Sequence, residues 1–248
     1  MMFDVYGTLF ISESGDIGVL KGSLAESGQV SALLTEFGIS RDSRAVLEAF
    51  FDEIDHTHAR MKKTGASFPE VCIDDIWMSV IGTRDRMWAR RFAARFENIV
   101  NPVYPMPHLA AVLKKLQENK MVMGIISNAQ FYTPLLFHWF LGGTPEHLGF
   151  DKDLLIWSYE KGMAKPDQRL FEDAASKLAA RGIVPENVLY LGNDMKNDIY
   201  PAHRQGFRTA LFAGDARSLR LREEVPYLKK LVPDAVLTDL AQLFLILP

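Results

Sequence analysis

Beyond Pro102 the chain repeats one grammar: a short apolar run of strand length, a polar residue or glycine, then a segment of helical periodicity. The apolar runs are 121–126, 154–157, 187–191, 208–212 and 235–237. The helical segments fall near 108–119, up to 141, 168–180, 197–205 and 240–247. Strands that are apolar on both faces and separated by helices predict a parallel sheet covered on both sides, because a parallel connection needs a crossover long enough to hold a helix. The fold class that follows is α/β, a doubly wound parallel-sheet (Rossmann-like) core. In such sheets ligands bind beyond the carboxyl ends of the strands, so the polar residues at those ends are the first candidates for function.

The first strand lies at the very start. Met2 and Phe3 run into Asp4, and Val5-Tyr6-Gly7-Thr8 turns the chain out again through Leu9 and Phe10. Asp4 therefore emerges at the sheet edge, and Gly7 allows a backbone geometry and a close approach that a side chain would forbid. So short a strand predicts that the natural chain begins a few residues earlier. From Gly15 to about Val103 the pattern is helical. Val30, Leu33, Leu34 and Phe37 recur at helical spacing before Gly38, and Asp42 or Ser43 caps a second helix bearing Val46, Leu47, Phe50, Phe51 and Ile54. A third helix carries Val71, Ile76, Trp77, Val80 and Ile81, and a fourth runs from Asp85 to Phe96. Four helices inserted after the first strand predict an all-helical module at 15–101 set into a core made of 1–14 and 102–248.

Composition excludes several classes. A net charge of -3 over 248 residues supplies no basic field for nucleic acid or an anionic membrane. No apolar run approaches the roughly 20 residues that span a bilayer, and the start of the chain shows no cleavable signal. The single cysteine, Cys72, cannot pair within the chain, which points to a reducing, cytoplasmic setting.

The strand-end residues are Asp4, Ser127 with Asn128, and Gly192-Asn193-Asp194 with Asp198. Two carboxylates in one cleft repel each other and call for a shared proton or a cation. A small hard ion such as Mg2+ suits carboxylates, a backbone carbonyl and water. Lys165, in Lys165-Pro166-Asp167, can keep Asp4 ionised and neutralise an anionic substrate, and Ser127 can donate to phosphoryl oxygens. A carboxylate nucleophile that forms an ester and is then hydrolysed is established chemistry for Asp. Each piece also has a plainer reading: a turn at Ser127-Asn128, a helix entrance at Lys165-Pro166-Asp167, a helix cap at Asp194 or Asp198.

Taken together and in this order, these motifs resemble the haloacid dehalogenase-like (HAD) hydrolases. The resemblance runs over essentially the whole chain. It implies Asp4 as nucleophile, with Tyr6, Ser127 and Lys165 as further catalytic residues, and Thr8, Ser127, Asn128 and Lys165 as substrate-binding residues. It also implies Asp4, the Tyr6 carbonyl and Asp194 as ligands of Mg2+, with Asn193 and Asp198 behind them, and the helical insert as a C1 cap that selects a small-molecule substrate. One position departs. Most phosphatases of the family carry an acid two residues after the nucleophile, and Tyr6 stands there, a poorer proton donor at neutral pH. The Asp-x-Tyr-Gly-Thr form resembles that of the 2-haloacid dehalogenases, whose halide leaves unprotonated and whose reaction needs no metal. Against that reading, Asp194 keeps an acid where those enzymes carry uncharged residues, and Phe171 replaces their tyrosine after the lysine. A Mg2+-dependent phosphohydrolase is thus the leading expectation. A dehalogenase-type hydrolase is the alternative, and a catalytically weak binding protein the third.

Overall fold

The computed structural model describes residues 1–12 and 28–247. The segment 15–27 of the expected helical insert lies outside the described residues. The chain divides into two compact units, one of Met1–Ile11 with Tyr104–Pro248 and one of Ser12–Val103.

In chain order the elements are β1 (Met2–Phe3), β2 (Phe10–Ser12), α1 (Gln29–Glu36), α2 (Ser43–Lys63), α3 (Ile73–Ile81), α4 (Arg86–Val100), β3 (Val103–Pro105), α5 (Leu109–Glu118), β4 (Met123–Ser127) and α6 (Thr133–Leu141). Then follow β5 (Phe150–Trp157), α7 (Ser158–Lys161), α8 (Gln168–Ala179), β6 (Leu189–Gly192), α9 (Tyr200–Arg204), β7 (Arg208–Phe212), β8 (Ala235–Leu237) and α10 (Leu243–Ile246). Six strands form one sheet in the order β5-β4-β1-β6-β7-β8, and every recorded pairing in it is parallel. The short β2 and β3 pair separately.

The order explains where a ligand belongs. From β1 the chain builds outward through β4 and β5, then returns to the other side of β1 with β6. The winding reverses between β1 and β6, and at such a switch point the loops leave in opposite directions and open a crevice. β4 is buried along its whole length and β1 likewise, which is what a strand covered by helices on both faces requires. Beneath the crevice, Met2, Ile126, Ile156, Leu170, Phe171 and Tyr190 share one core cluster.

Differences from the sequence expectation have local causes. β5 begins earlier than 154, at Phe150, because it is an edge strand whose residues Asp151–Asp153 can face water while their backbone still pairs. The single helix expected at 197–205 is a π-helical turn at Met195–Ile199 followed by α9. Asp194 caps that turn through Lys196 N and Asn197 N, which starts it earlier than its apolar pattern does. The last helix, expected at 240–247, is a 3-10 turn at Leu240–Gln242 leading into α10.

The second unit is built around Trp77, which is wholly buried. Its ring stacks on Phe50 at 4.2 Å and meets Phe92 and Phe96 edge-on at 4.8 and 4.9 Å. This joins α2, α3 and α4. The helix starts follow from side-chain caps, with Asp42 accepting from Ala45 N and Asp85 from Trp88 N. Asp74, buried on α3, accepts from Arg86 and Arg90 of α4 at 2.8 Å each. Although burial works against it, the two guanidinium groups hold its carboxyl below the usual range. Trp77→Ala is expected to destabilise this unit by about 3–5 kcal/mol, the usual loss for a large core aromatic, read as the earlier transition in denaturant unfolding.

Candidate active site

The residues singled out at the strand ends meet around Lys165. Its ammonium is almost wholly buried and donates to Asp4 Oδ1 at 2.6 Å and to Asp198 Oδ1 at 2.5 Å. Burial alone would lower the lysine's pKa, but the two carboxylates outweigh it and hold the charge in place. Ser127, the last residue of β4, donates to the same Asp4 Oδ1 at 3.0 Å. Both of Asp4's side-chain bonds among the described residues therefore fall on one oxygen, and Oδ2 carries none. Asn128 clamps the lysine's own backbone: Lys165 N donates to its Oδ1 at 2.6 Å, and its Nδ2 donates to Lys165 O at 3.4 Å.

The loop after β6 is equally committed. Asp198 Oδ2 accepts from the N–H groups of Asn193 and Asp194 at 3.1 and 3.0 Å, so this carboxylate closes the loop on itself. Burial, with Asp4 and Asp194 nearby, raises its pKa against the pull of Lys165, up to about 7. Gly192 makes room for it, since a Cβ there would lie 2.4 Å from Asp198 Cγ. Gly192→Ala is therefore expected to push Asp198 off the loop and cost about 1–3 kcal/mol, as overpacking does. A thermal melt measures this. Gly7, at φ +77, faces Asn193, whose Nδ2 would be 2.3 Å from an added Cβ. This turn and the β6 loop thus touch directly.

Two predicted residues sit differently from the simplest picture. Thr8 is wholly buried, and its hydroxyl has no hydrogen-bond partner among the described residues. The Tyr6 phenol lies 2.9 Å from Thr133 Oγ1 on α6. Position 6 thus supplies a hydroxyl and no carboxyl group.

A family model of haloacid dehalogenase-like hydrolases matches residues 1–206. The chain belongs to that family. Among relatives, a Schizosaccharomyces pombe protein described as an uncharacterized hydrolase is 26% identical over 216 residues, 81% of this chain and 84% of that one. Among solved structures, a 2-haloacid dehalogenase from Pseudomonas syringae pv. Tomato DC3000 superposes with a TM-score of 0.60 at 17% identity, covering 99% of this chain and 96% of that one. A HAD phosphatase from Thermococcus onnurineus does so at 0.54, also at 17% identity, covering 99% and 95%. At such identities these structures show a shared fold. They include both dehalogenases and phosphatases, so they leave the leaving group of this HAD-like hydrolase open.

The donor set of the HAD-like site fits a hard divalent cation. Asp4, Asp194 and Asp198 are all buried, while the recorded cations against them are Lys165, shared by two of them, and Arg222. Three buried carboxylates facing two cations are a donor set of the kind a hard divalent ion such as Mg2+ takes.

Two participants escaped the sequence reading. Tyr190, which lies within the apolar run 187–191, places its hydroxyl 3.1 Å from Asp198 Oδ1 and donates to Ile126 O at 2.9 Å. Burial and the neighbouring carboxylates keep it protonated, well above its usual range. Its ring packs on Phe171 at 5.2 Å. Arg222 reaches Asp194 from a loop beyond β7, with Nη2 at 2.7 Å from Oδ2. A polar group inside an apolar strand signals the first; nothing local in the sequence signals the second.

Proposed function

We propose that this HAD-like hydrolase is a Mg2+-dependent phosphohydrolase that moves the phosphoryl group of a small phosphate ester to Asp4 and then to water. The observation that carries the reading is the excess of buried carboxylates at the switch point, with Asp194 retained as an acid beside Asp4 and Asp198. An anionic carboxylate substrate gains nothing from that third acid, whereas a cation does. Asp4, the Tyr6 carbonyl and Asp194 would hold Mg2+, with Asn193 and Asp198 behind them. When bound, the ion offsets charge on the phosphoryl oxygens and on the carboxylates.

The chain's own residues do the rest. Lys165 orients Asp4 through Oδ1, leaving the second oxygen's lone pairs uncommitted among the described residues. Asp4 attacks phosphorus in line, the ester P–O bond breaks, and the departing oxygen takes the bonding pair and a proton from solvent. Water then attacks phosphorus, the bond to Asp4 breaks, and inorganic phosphate leaves with the carboxylate restored. Ser127 and Lys165 donate to the phosphoryl oxygens. The helical unit is the cap in this reading and the part that selects the substrate.

Tyr6 shapes the specificity. Without a carboxylic acid for the leaving group, a factor of about 10²–10⁴ is forgone on poor leaving groups. The expected result is a steep rise in rate as leaving-group pKa falls across a panel of phosphate esters, with activity abolished by chelator. The same Tyr6 favours a second reading, C–halogen hydrolysis through an aspartyl ester at Asp4, in which the halide needs no proton. Chloride release from a 2-chloro acid, untouched by chelator, replaces the first reading with the second. A folded protein silent on both panels removes both in favour of a binding role.

A further inference from the structure

The loop 215–222 is stitched to the β6 loop and delivers one guanidinium to it. Arg220 N donates to Asn193 O at 3.0 Å, Met195 N donates to Arg220 O at 2.9 Å, and Asn193 Nδ2 donates to Ser218 O at 2.6 Å. Two residues on, Arg222 adopts φ +55, a left-handed conformation that non-glycine residues rarely hold. From there its Nε lies 3.2 Å from each oxygen of Asp194, and Nη2 is 2.7 Å from Oδ2. The carboxylate also accepts from Lys196 N, Asn197 N and Asn197 Nδ2. A carboxylate has about four acceptor sites, so Asp194 has none left for a further ligand while Arg222 stays.

The partners differ in what they can do. The backbone donors belong to the turn that Asp194 caps and are fixed by it. Arg222 is a long side chain, 34% exposed against 9% for Asp194, and its bonds to Asp194 are made by the guanidinium, separately from the backbone bonds that hold the loop.

We propose that Arg222 is a built-in competitor for the cation at Asp194. Its guanidinium holds the carboxylate in the metal-free protein and leaves when a divalent ion binds. This rests on the reading that Asp194 is a metal ligand. It makes Arg222 a positioning residue that keeps Asp194 in place before loading and sets how much free Mg2+ loading requires.

The test is calorimetric titration of Mg2+ alone into the metal-free full chain, without substrate. Arg222→Gln is expected to bind Mg2+ about tenfold more tightly, because cation entry no longer has to break a charge-assisted bidentate pair. Arg222→Lys keeps the charge but loses the planar fork, and it is expected to bind severalfold more tightly than wild type. Arg217→Gln removes the same charge from the same loop, where Arg217 faces Asp215, and it is expected to bind as wild type does.

Equal or weaker Mg2+ binding in Arg222→Gln overturns the inference while leaving the metal reading standing. So does an Arg217→Gln shift as large as that of Arg222→Gln, or an Arg222→Lys affinity equal to wild type, since either assigns the effect to net charge. No Mg2+ binding in any of the proteins overturns the metal reading, and the inference with it.

Discussion

Asp4→Asn is expected to abolish turnover, by about 10⁴–10⁶-fold, the usual range when the nucleophile of an interlocked catalytic group is removed. The substitution is nearly isosteric, and the amide oxygen can still accept from Lys165 and Ser127, which meet at Asp4 Oδ1. It also lowers the number of buried carboxylates around one lysine, so the fold is not expected to lose stability at neutral pH. A thermal melt alongside single-turnover kinetics separates the two effects. The prediction holds for either leaving group, because a phosphate ester and a halo acid would both form their ester on Asp4. A turnover rate near that of wild type would remove Asp4 from the chemistry.

Lys165→Met is the second large effect, and here stability falls as well. The lysine sits between Asp4 and Asp198, both buried. Breaking a buried ion pair by removing one partner costs about 3–5 kcal/mol, because the remaining charge is left uncompensated. For a chain of this size that is a drop in melting temperature of roughly 10 °C. The sign of the pH dependence follows from Asp198, whose carboxyl is already pushed up to about 7 with the lysine in place. Without it the folded-state value rises further, so the folded variant retains a proton that the folded wild type has lost. The variant's deficit therefore grows as pH rises through about 7, and it is smaller at pH 5 than at pH 8. Chemical denaturation of the metal-free proteins at those two pH values measures it. A deficit that shrinks with rising pH would contradict the arrangement around Lys165.

The alternation of short apolar runs and helices after Pro102 was enough to reach a parallel sheet, because few other arrangements bury such strands on both faces. The positions of Asp4, Ser127, Asp194 and Asp198 pointed to one sheet edge for a similar reason: parallel strands all end on the same side. The helix starts at Asp42 or Ser43 and at Asp85 were legible, since a cap acts within three residues, and the structure gives the first cap to Asp42. Segment boundaries were less legible. The start of β5 is hidden by Asp151–Asp153, where only the strand's position at the sheet edge makes polar residues tolerable.

The sequence by itself determined the class of fold and the residue types at the strand ends, because these depend on periodicity and on local chain direction. Only the tertiary structure decided which of those residues share partners. It joined Lys165 to Asp4 and Asp198, turned Asn128 onto the backbone of Lys165, and drew Tyr190 and Arg222 into the group. Arg222 is 28 residues from Asp194 along the chain. Hydrogen-bond partners so far apart follow from how the loops beyond β6 and β7 pack, and no local pattern in the sequence carries that information.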